Sequence, residues 1–145
     1  MARSPFPVEV LTPEGQVFAG EVEMLSTRTE VGEIGVLANH TPLLAMLQPS
    51  DLRLHISESE VKHFAQGEGY LQVHGNHALV LVEDCFEPEE IDRGEQEERL
   101  RKAESVLEEA KTPADLASAR CQQALRDKRR AETFLRIAGG DGTAE

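Results

Sequence analysis

The sequence predicts two successive structural classes: an antiparallel β-sandwich over residues 1–86 and an antiparallel two-helix hairpin over residues 87–139, followed by a disordered tail at 140–145. Three observations support this. Before residue 87, short runs alternate apolar and polar side chains, turn residues separate these runs at regular spacing, and helical periodicity begins only after Phe86-Glu87-Pro88. Many short strands of this kind are typical of sandwiches and barrels.

The predicted strands follow one another through the first part of the chain. From Phe6 to Leu11 every second side chain is apolar, and Thr12-Pro13-Glu14-Gly15 forms a turn because proline and glycine supply its special backbone geometries. Residues 32–47 are predicted to form a strand, a turn and a second strand. The other predicted strands are residues 16–18, 21–27, 51–56, 61–64, 70–73 and 77–82.

The segment Ala78–Val82 departs from the alternating pattern, because it is apolar at every position. A sandwich strand normally exposes one polar face to water. We therefore expect its outer side, which carries Leu79 and Leu81, to be covered by the helical tail or by another subunit.

Two helices are predicted after Pro88. The first spans about Glu89 to Lys111, and the second begins where Thr112 can cap, Pro113 suits the first helical position and Asp115 completes a capping box. The second helix is predicted to run through Ala138. Its inward side is predicted to consist mostly of small residues that bury little area each, so that the hairpin is held weakly: Ala117, Cys121, Ala124, Leu125, Ala131, Leu135 and Ala138.

The composition limits the class of partner. The formal net charge is −12 and the sequence pI is about 4.8, so the surface repels nucleic acid and anionic lipid. Residues 87–145 hold 11 of the 15 basic side chains, which makes this part the one able to bind an acidic partner. We expect no secretory signal and no membrane insertion. Cys85 and Cys121 lack metal-ligand spacing and are expected to be unpaired thiols.

The segment from Gly32 to Leu47 contains the strongest functional signal. No charged residue occurs from Ile34 through Ser50, which in so acidic a chain indicates deep core or a permanent interface. Glu33 lies between Gly32 and an Ile-Gly pair, so a carboxylate sits where the backbone can be approached closely. His40 lacks a partner at a catalytic spacing and is interpreted as a turn residue.

This segment, Gly32-Glu33-Ile34-Gly35 followed by His40-Thr41-Pro42-Leu43, resembles the signature of the epsilon subunit of F-type ATP synthases. Three more matches occur in the same order as in that family. They are Val10-Leu11-Thr12-Pro13-Glu14-Gly15, Gly69-Tyr70-Leu71-Gln72-Val73 and Glu90-Ile91-Asp92. The chain departs from the family at Ala38-Asn39, where Pro-Gly is usual.

The resemblance implies a non-catalytic subunit of the central rotor, peripheral on the cytoplasmic face of the cell membrane. No cofactor is expected, and no metal is expected because neither of the chain's histidine pairs has a cysteine or a third histidine with it. The sandwich would contact the c-subunit ring through Gly32, Glu33, Gly35 and His40, and the gamma subunit through Leu79 and Leu81. The helices would inhibit ATP hydrolysis by presenting basic residues to the alpha and beta catalytic subunits: Arg126, Lys128, Arg129, Arg130 and Arg136. A solvated helix face paired with glutamates of the first helix is the alternative for this basic set.

Some members of that family bind ATP between the two helices, which makes an ATP-sensing module the alternative function. Ile91 and Asp92 match the family's Ile-Asp-x-x-Arg-Ala motif, and Arg130 aligns with the first of two arginines on the second helix. Glu95 stands where the motif has arginine, and Phe134 takes the place of the second arginine. Since a carboxylate repels phosphate, we expect ATP to bind poorly.

Overall fold

The computed structural model describes residues 3–140, which form two compact units that part between Glu87 and Pro88. Apart from Gly140, the predicted tail at 140–145 lies outside the described residues.

The first unit consists of short strands, as the alternating pattern predicts. The strands are β1 (Phe6–Thr12), β2 (Gly15–Val22), β3 (Met24–Thr29), β4 (Gly32–Val36), β5 (Leu43–Leu47), β6 (Ser50–His55), β7 (Val61–Gln66), β8 (Gly69–His74), β9 (His77–Val82) and β10 (Cys85–Phe86).

The strands hydrogen-bond in the order β10-β7-β6-β3-β5-β8-β9-β1-β2, and β4 pairs with β3. β3 and β5 share a single residue pair, Thr29 with Leu47, so the sheet folds over at this point into the two layers of a sandwich. One pairing differs from the antiparallel prediction, because β1 and β9 run parallel. Alternation predicts strands but not their direction. β1 and β9 are not joined by a hairpin turn, because strands β2 to β8 lie between them in the sequence.

The inward side chains of both layers form one apolar core, which accounts for the alternation read from the sequence. Every strand contributes at least one side chain to it. β4 contributes Val36 at its end, and β2 contributes Val22 at its end. β2 ends the sheet, and its side chains before Val22 are exposed or half-buried. The buried core consists of Phe6, Val8, Val10, Val22, Leu25, Val36, Leu47, Leu52, Leu54, Phe64, Leu71, Val73, Ala78, Val80, Val82 and Cys85.

A polar network is buried near the fold between the layers. Gln66 is fully buried, and its Oε1 accepts a 2.6 Å hydrogen bond from the Thr27 hydroxyl. The Gln66 amide nitrogen donates to the carbonyl oxygens of Gln48 at 2.9 Å and Gly67 at 3.1 Å. The Thr27 hydroxyl also lies 3.1 Å from that of Ser50. This one glutamine therefore joins β3 and β7 to the turn before β6, and its polar atoms are satisfied as burial requires.

The second unit contains three helices instead of two. They are α1 (Arg93–Glu108), α2 (Pro113–Leu116) and α3 (Ala119–Ala138), after a 3-10 turn at Pro88–Glu90. The predicted capping box at Thr112 and Asp115 is present, but the helix that it begins has only four residues. The prediction of one helix from Thr112 to Ala138 is therefore wrong. The Ser118 hydroxyl caps a new helix by accepting from the Cys121 amide at 3.2 Å, and local caps of this kind compete with continuation of the preceding turn.

The predicted inward side of the second helix is correct only in part. Cys121, Ala124 and Ala131 are buried, whereas Ala117 and Leu125 are exposed. Thr133, Phe134 and Ile137 are buried in place of the predicted Leu135 and Ala138, which are half-buried. The buried Phe134 and Ile137 contribute more apolar area than the small residues alone, so the prediction underestimated this core.

We predict that Gln66→Ala destabilises the sandwich by about 2 to 3 kcal/mol, because the Thr27 hydroxyl and two carbonyl groups lose a buried partner. Tyr70 is the chain's one tyrosine and there is no tryptophan, so intrinsic fluorescence reports on the sandwich alone. Urea unfolding of the full chain followed by this signal measures the change.

Gln72→Ala is the matched control, since Gln72 is an exposed glutamine on β8 and its loss should change the free energy of unfolding by less than about 0.5 kcal/mol. Equal effects of the two substitutions would show that the buried network contributes nothing of its own.

Candidate interaction surfaces

An exposed apolar surface covers the outer side of the layer formed by β5, β8, β9 and β1. Met46, Tyr70 and Leu81 are direct neighbours across β5, β8 and β9, and their exposed fractions are 48%, 47% and 42%. Leu44, on the same side of β5, is 70% exposed. These four residues, together with the half-buried Leu79, are named the apolar face. Contiguous apolar surface of this kind marks interaction sites.

The sequence located only part of the apolar face. The unbroken run in β9 pointed to Leu79 and Leu81, and both side chains lie on the outer side as expected. Leu44, Met46 and Tyr70 were missed. The same signal was present for β5, because Leu43–Leu47 is also apolar at every position.

The opposite layer presents a hairpin formed by β3 and β4. Gly32 has φ = +134°, a conformation that L side chains rarely adopt, so the turn itself requires glycine here. Val31 at the tip is 94% exposed. Glu33 lies directly opposite Arg28 and faces outward. A Cβ added at Gly35 would meet only the Met24 methyl group at an ordinary contact distance of 3.5 Å, so packing within the chain leaves that position open.

A charged cluster continues from Glu33 across this layer. Glu33 Oε1 lies 3.3 Å from Arg53 Nη2, Arg53 Nε lies 3.6 Å from Asp51 Oδ2, and Asp51 Oδ1 lies 3.4 Å from His63 Nδ1. Burial of His55, reinforced by the positive charges of Arg53 and Arg3 and by His63, lowers the pKa of the His55 imidazole below its ordinary value. The neutral form of His55 is therefore favoured beside Arg53.

The turn after β4 contains His40. Asn39 has φ = +61° and fills the left-handed position that glycine would otherwise favour, which explains how Ala38-Asn39 can form this turn. The Asn39 amide donates a 2.6 Å hydrogen bond to Asn76 Oδ1, so the turn is attached to the β8–β9 hairpin. His40 Nδ1 lies 2.7 Å from the Thr41 carbonyl oxygen, to which it donates.

The structure does not bring the four predicted ring-contact residues into one cluster. Gly32, Glu33 and Gly35 lie on β4, whereas His40 follows the far end of that strand. At about 3.3 Å per residue, the five residues of β4 separate the hairpin tip from the His40 turn by roughly 13 Å.

The predicted nucleotide-motif residues have structural partners within the helical unit. Asp92 caps α1 by accepting from the Glu95 amide at 3.1 Å, and Ile91 is half-buried just before it. Arg130 Nη1 donates to Gln96 Oε1 at 3.2 Å, and its guanidinium lies 4.3 Å from the centroid of the Phe134 ring. Gln96 and Phe134 thus occupy the places where the motif has alanine and a second arginine, and both contact Arg130.

The basic residues of α3 do not all share one side. Arg126, Arg129 and Arg136 are exposed, while Lys128 and Arg130 are half-buried. At roughly 100° per residue, the three exposed arginines fall within one side of the helix and Lys128 points away from them. Arg120 of α3 forms an ion pair at 2.9 Å with Glu109, the residue that follows α1.

Within residues 3–140, no helix is both long enough and apolar enough to cross a membrane. The same described residues contain no group of three or more histidine, cysteine, aspartate or glutamate side chains arranged to hold a metal ion. Cys85 and Cys121 are both buried, and no disulfide joins them.

Comparison with known proteins places this geometry in a family. The family described as "ATP synthase, Delta/Epsilon chain, beta-sandwich domain" matches residues 5–88. A protein of Persephonella marina named ATP synthase epsilon chain is 42% identical over 134 residues, which are 92% of this chain and 96% of that protein. The chain belongs to the ATP synthase epsilon chain family. The resemblance read from the four sequence segments is therefore confirmed.

A second relative carries the same name, and chains of two solved structures share the fold. The epsilon chain of Priestia megaterium is 39% identical over 70% of this chain and 75% of its own length. A chain from the cryo-EM structure of the Euglena gracilis mitochondrial ATP synthase has the same fold, with a TM-score of 0.73 at 18% identity, and the match covers 92% of this chain and 81% of that one. A chain from the central stalk and c-ring structure of the Tetrahymena thermophila enzyme matches with a TM-score of 0.60 at 18% identity over 95% and 99% of the two chains. The predicted fold class, a sandwich followed by helices, is confirmed.

Proposed function

We propose that the chain is a non-catalytic rotor subunit in the central stalk of an F-type ATP synthase, peripheral on the cytoplasmic face of the cell membrane. It transmits rotation of the ion-driven c ring through gamma to the catalytic subunits. Family membership supports the assignment to the complex, and the apolar face is the observation that carries the proposed role as an adaptor.

The apolar face suits a permanent contact with gamma. Met46, Tyr70 and Leu81 form an uncharged row across three paired strands, and aromatic and methionine side chains are enriched where protein interfaces are buried. Leu79 continues the surface on β9. A rigid sheet loses little conformational entropy on docking, so a contact here transmits torque without deforming.

The β3–β4 hairpin supports a contact with the polar loops of the c ring. The Glu33 carboxylate is 57% exposed, and Gly32 and Gly35 leave the backbone beside it open to a second chain. His40 follows the opposite end of β4, so its contact with the ring would be a second one, separate from that of the hairpin.

The exposed arginines of α3 support a brake on ATP hydrolysis. Arg126, Arg129 and Arg136 present positive charge from one side of a helix in a chain that is acidic as a whole. They attract an acidic segment of the alpha or beta subunits when the helical unit extends toward them. Such a brake is an element with two positions, biased by its partners.

The ATP-sensing alternative has less support. Arg130 already donates to Gln96 and stacks on Phe134, and the Glu95 carboxylate forms a 2.8 Å ion pair with Arg99. A nucleotide would have to displace these contacts with one arginine fewer than the family motif supplies.

Gamma binding is expected to fall about tenfold or more in Leu81→Glu, since a carboxylate would be buried at an apolar contact without a partner. Copurification with gamma measures the change. Val61→Glu, at a position 36% exposed on the other layer, is the control and should bind normally. Normal gamma binding by Leu81→Glu would assign the apolar face to another partner.

Deletion of residues 88–145 is expected to raise ATP hydrolysis by the assembled enzyme about fivefold or more, which corresponds to a brake of ~1 kcal/mol. Assembly should survive, because residues up to Glu87 form their own compact unit.

Arg126→Gln/Arg129→Gln/Arg136→Gln should release hydrolysis in the full chain. Removing three charges from α1 instead, at Arg99, Arg101 and Lys102, should not. An unchanged rate after deletion would refute the brake.

Calorimetric titration of the purified chain with ATP is expected to give a dissociation constant weaker than about 1 mM, because Glu95 repels phosphate. Glu95→Arg/Gln96→Ala rebuilds the family motif and should strengthen binding. Micromolar affinity in the unaltered chain would favour the sensing function instead.

A further inference from the structure

The charged cluster on the outer side of β4, β3, β6 and β7 becomes more exposed from Asp51 to Glu33. The Asp51 side chain is 7% exposed, that of Arg53 is 23% exposed, and that of Glu33 is 57% exposed. Arg53 thus lies between a buried carboxylate and one that reaches solvent. His63, which is paired with Arg53 across β6 and β7, also contacts Asp51.

The buried charge of Asp51 favours the position of Arg53. A carboxylate as buried as that of Asp51 is stabilised by nearby positive charge, and Arg53 Nε lies 3.6 Å from Asp51 Oδ2, which is an ionic contact and not a hydrogen bond. This attraction keeps the guanidinium close to β6. From there Arg53 Nη2 donates a hydrogen bond to Glu33 Oε1 at 3.3 Å.

The backbone alone does not fix the Glu33 carboxylate. Glutamate has three side-chain torsions, and ordering it costs free energy unless a contact holds it. Arg28 lies directly opposite Glu33 on β3, yet within residues 3–140 the ion pair of Glu33 is formed with Arg53 and not with Arg28. Arg53 contacts Glu33 from β6, across β3.

We propose that Arg53, anchored by Asp51, is the positioning residue that presents the Glu33 carboxylate to the c ring. This inference rests on the proposed contact between Glu33 and the ring.

A double-mutant cycle on the affinity of the assembled stalk for isolated c ring tests the proposal. Glu33→Gln should weaken binding by removing the carboxylate. Arg53→Gln should weaken it about three- to tenfold, because the partner must then order a free side chain. Glu33→Gln/Arg53→Gln should bind no more weakly than Glu33→Gln alone. Arg28→Gln is the matched control, with the same charge change on the same surface, and should alter affinity less than about twofold.

A second measurement separates positioning from a purely structural role. NMR scalar couplings of the Glu33 side chain should be those of one rotamer in the unaltered chain and in Arg28→Gln, and should be averaged in Arg53→Gln. Arg53→Gln leaves the buried Asp51 carboxylate without Arg53 and could therefore fold poorly. Asp51→Asn/Arg53→Gln removes both charges, should give the same averaging of the Glu33 couplings, and replaces Arg53→Gln in that case.

The outcomes are distinguishable. If Glu33→Gln weakens binding but Arg53→Gln and Asp51→Asn/Arg53→Gln bind normally, the positioning role is wrong and the proposed function stands. If Glu33→Gln has no effect, the ring contact itself is wrong and the inference fails with it. If the Glu33 couplings are averaged already in the unaltered chain, Arg53 does not hold the carboxylate.

Discussion

The first unit depends on the position of β3, which pairs with three other strands. β4 and β6 pair with it on its two sides, and its last residue, Thr29, makes the one pair with β5 that joins the layers. Thr27 adds the buried bond to Gln66, which connects β3 to β7. Because a shift of one residue would exchange the inner and outer faces of β3, this network also fixes which side chains reach the surface.

Fixing that register gives the sandwich two outer sides with different chemistry. One layer presents Leu44, Met46, Tyr70 and Leu81, which gain most from complete removal of water. The other presents Glu33 and Arg53, whose interactions depend on geometry and weaken when salt screens them. The two sides therefore suit contacts of different kinds, one driven by burial of apolar surface and one by the placement of charge.

Much of this architecture could be predicted from the sequence, because alternation and turn residues act locally. The strands, the Thr112 capping box and the outward direction of Leu79 and Leu81 all follow from neighbours in the chain. The parallel pairing of β1 with β9 could not, because it depends on where distant strands meet. The same limit hid Arg53, since its contact with Glu33 crosses β3 and is visible only once the register is known. In the helices, the Ser118 cap was missed, and the inward side was assigned mainly by its small residues, although Phe134 and Ile137 are buried there too.

The end of the sheet has a further consequence for the free subunit. β2 has eight residues, Glu21 is its one charged side chain, and lysine and proline, which protect many edge strands, are both missing from it. A free copy of the chain therefore exposes a long unpaired strand edge together with the apolar face. Both features favour self-association of the free chain.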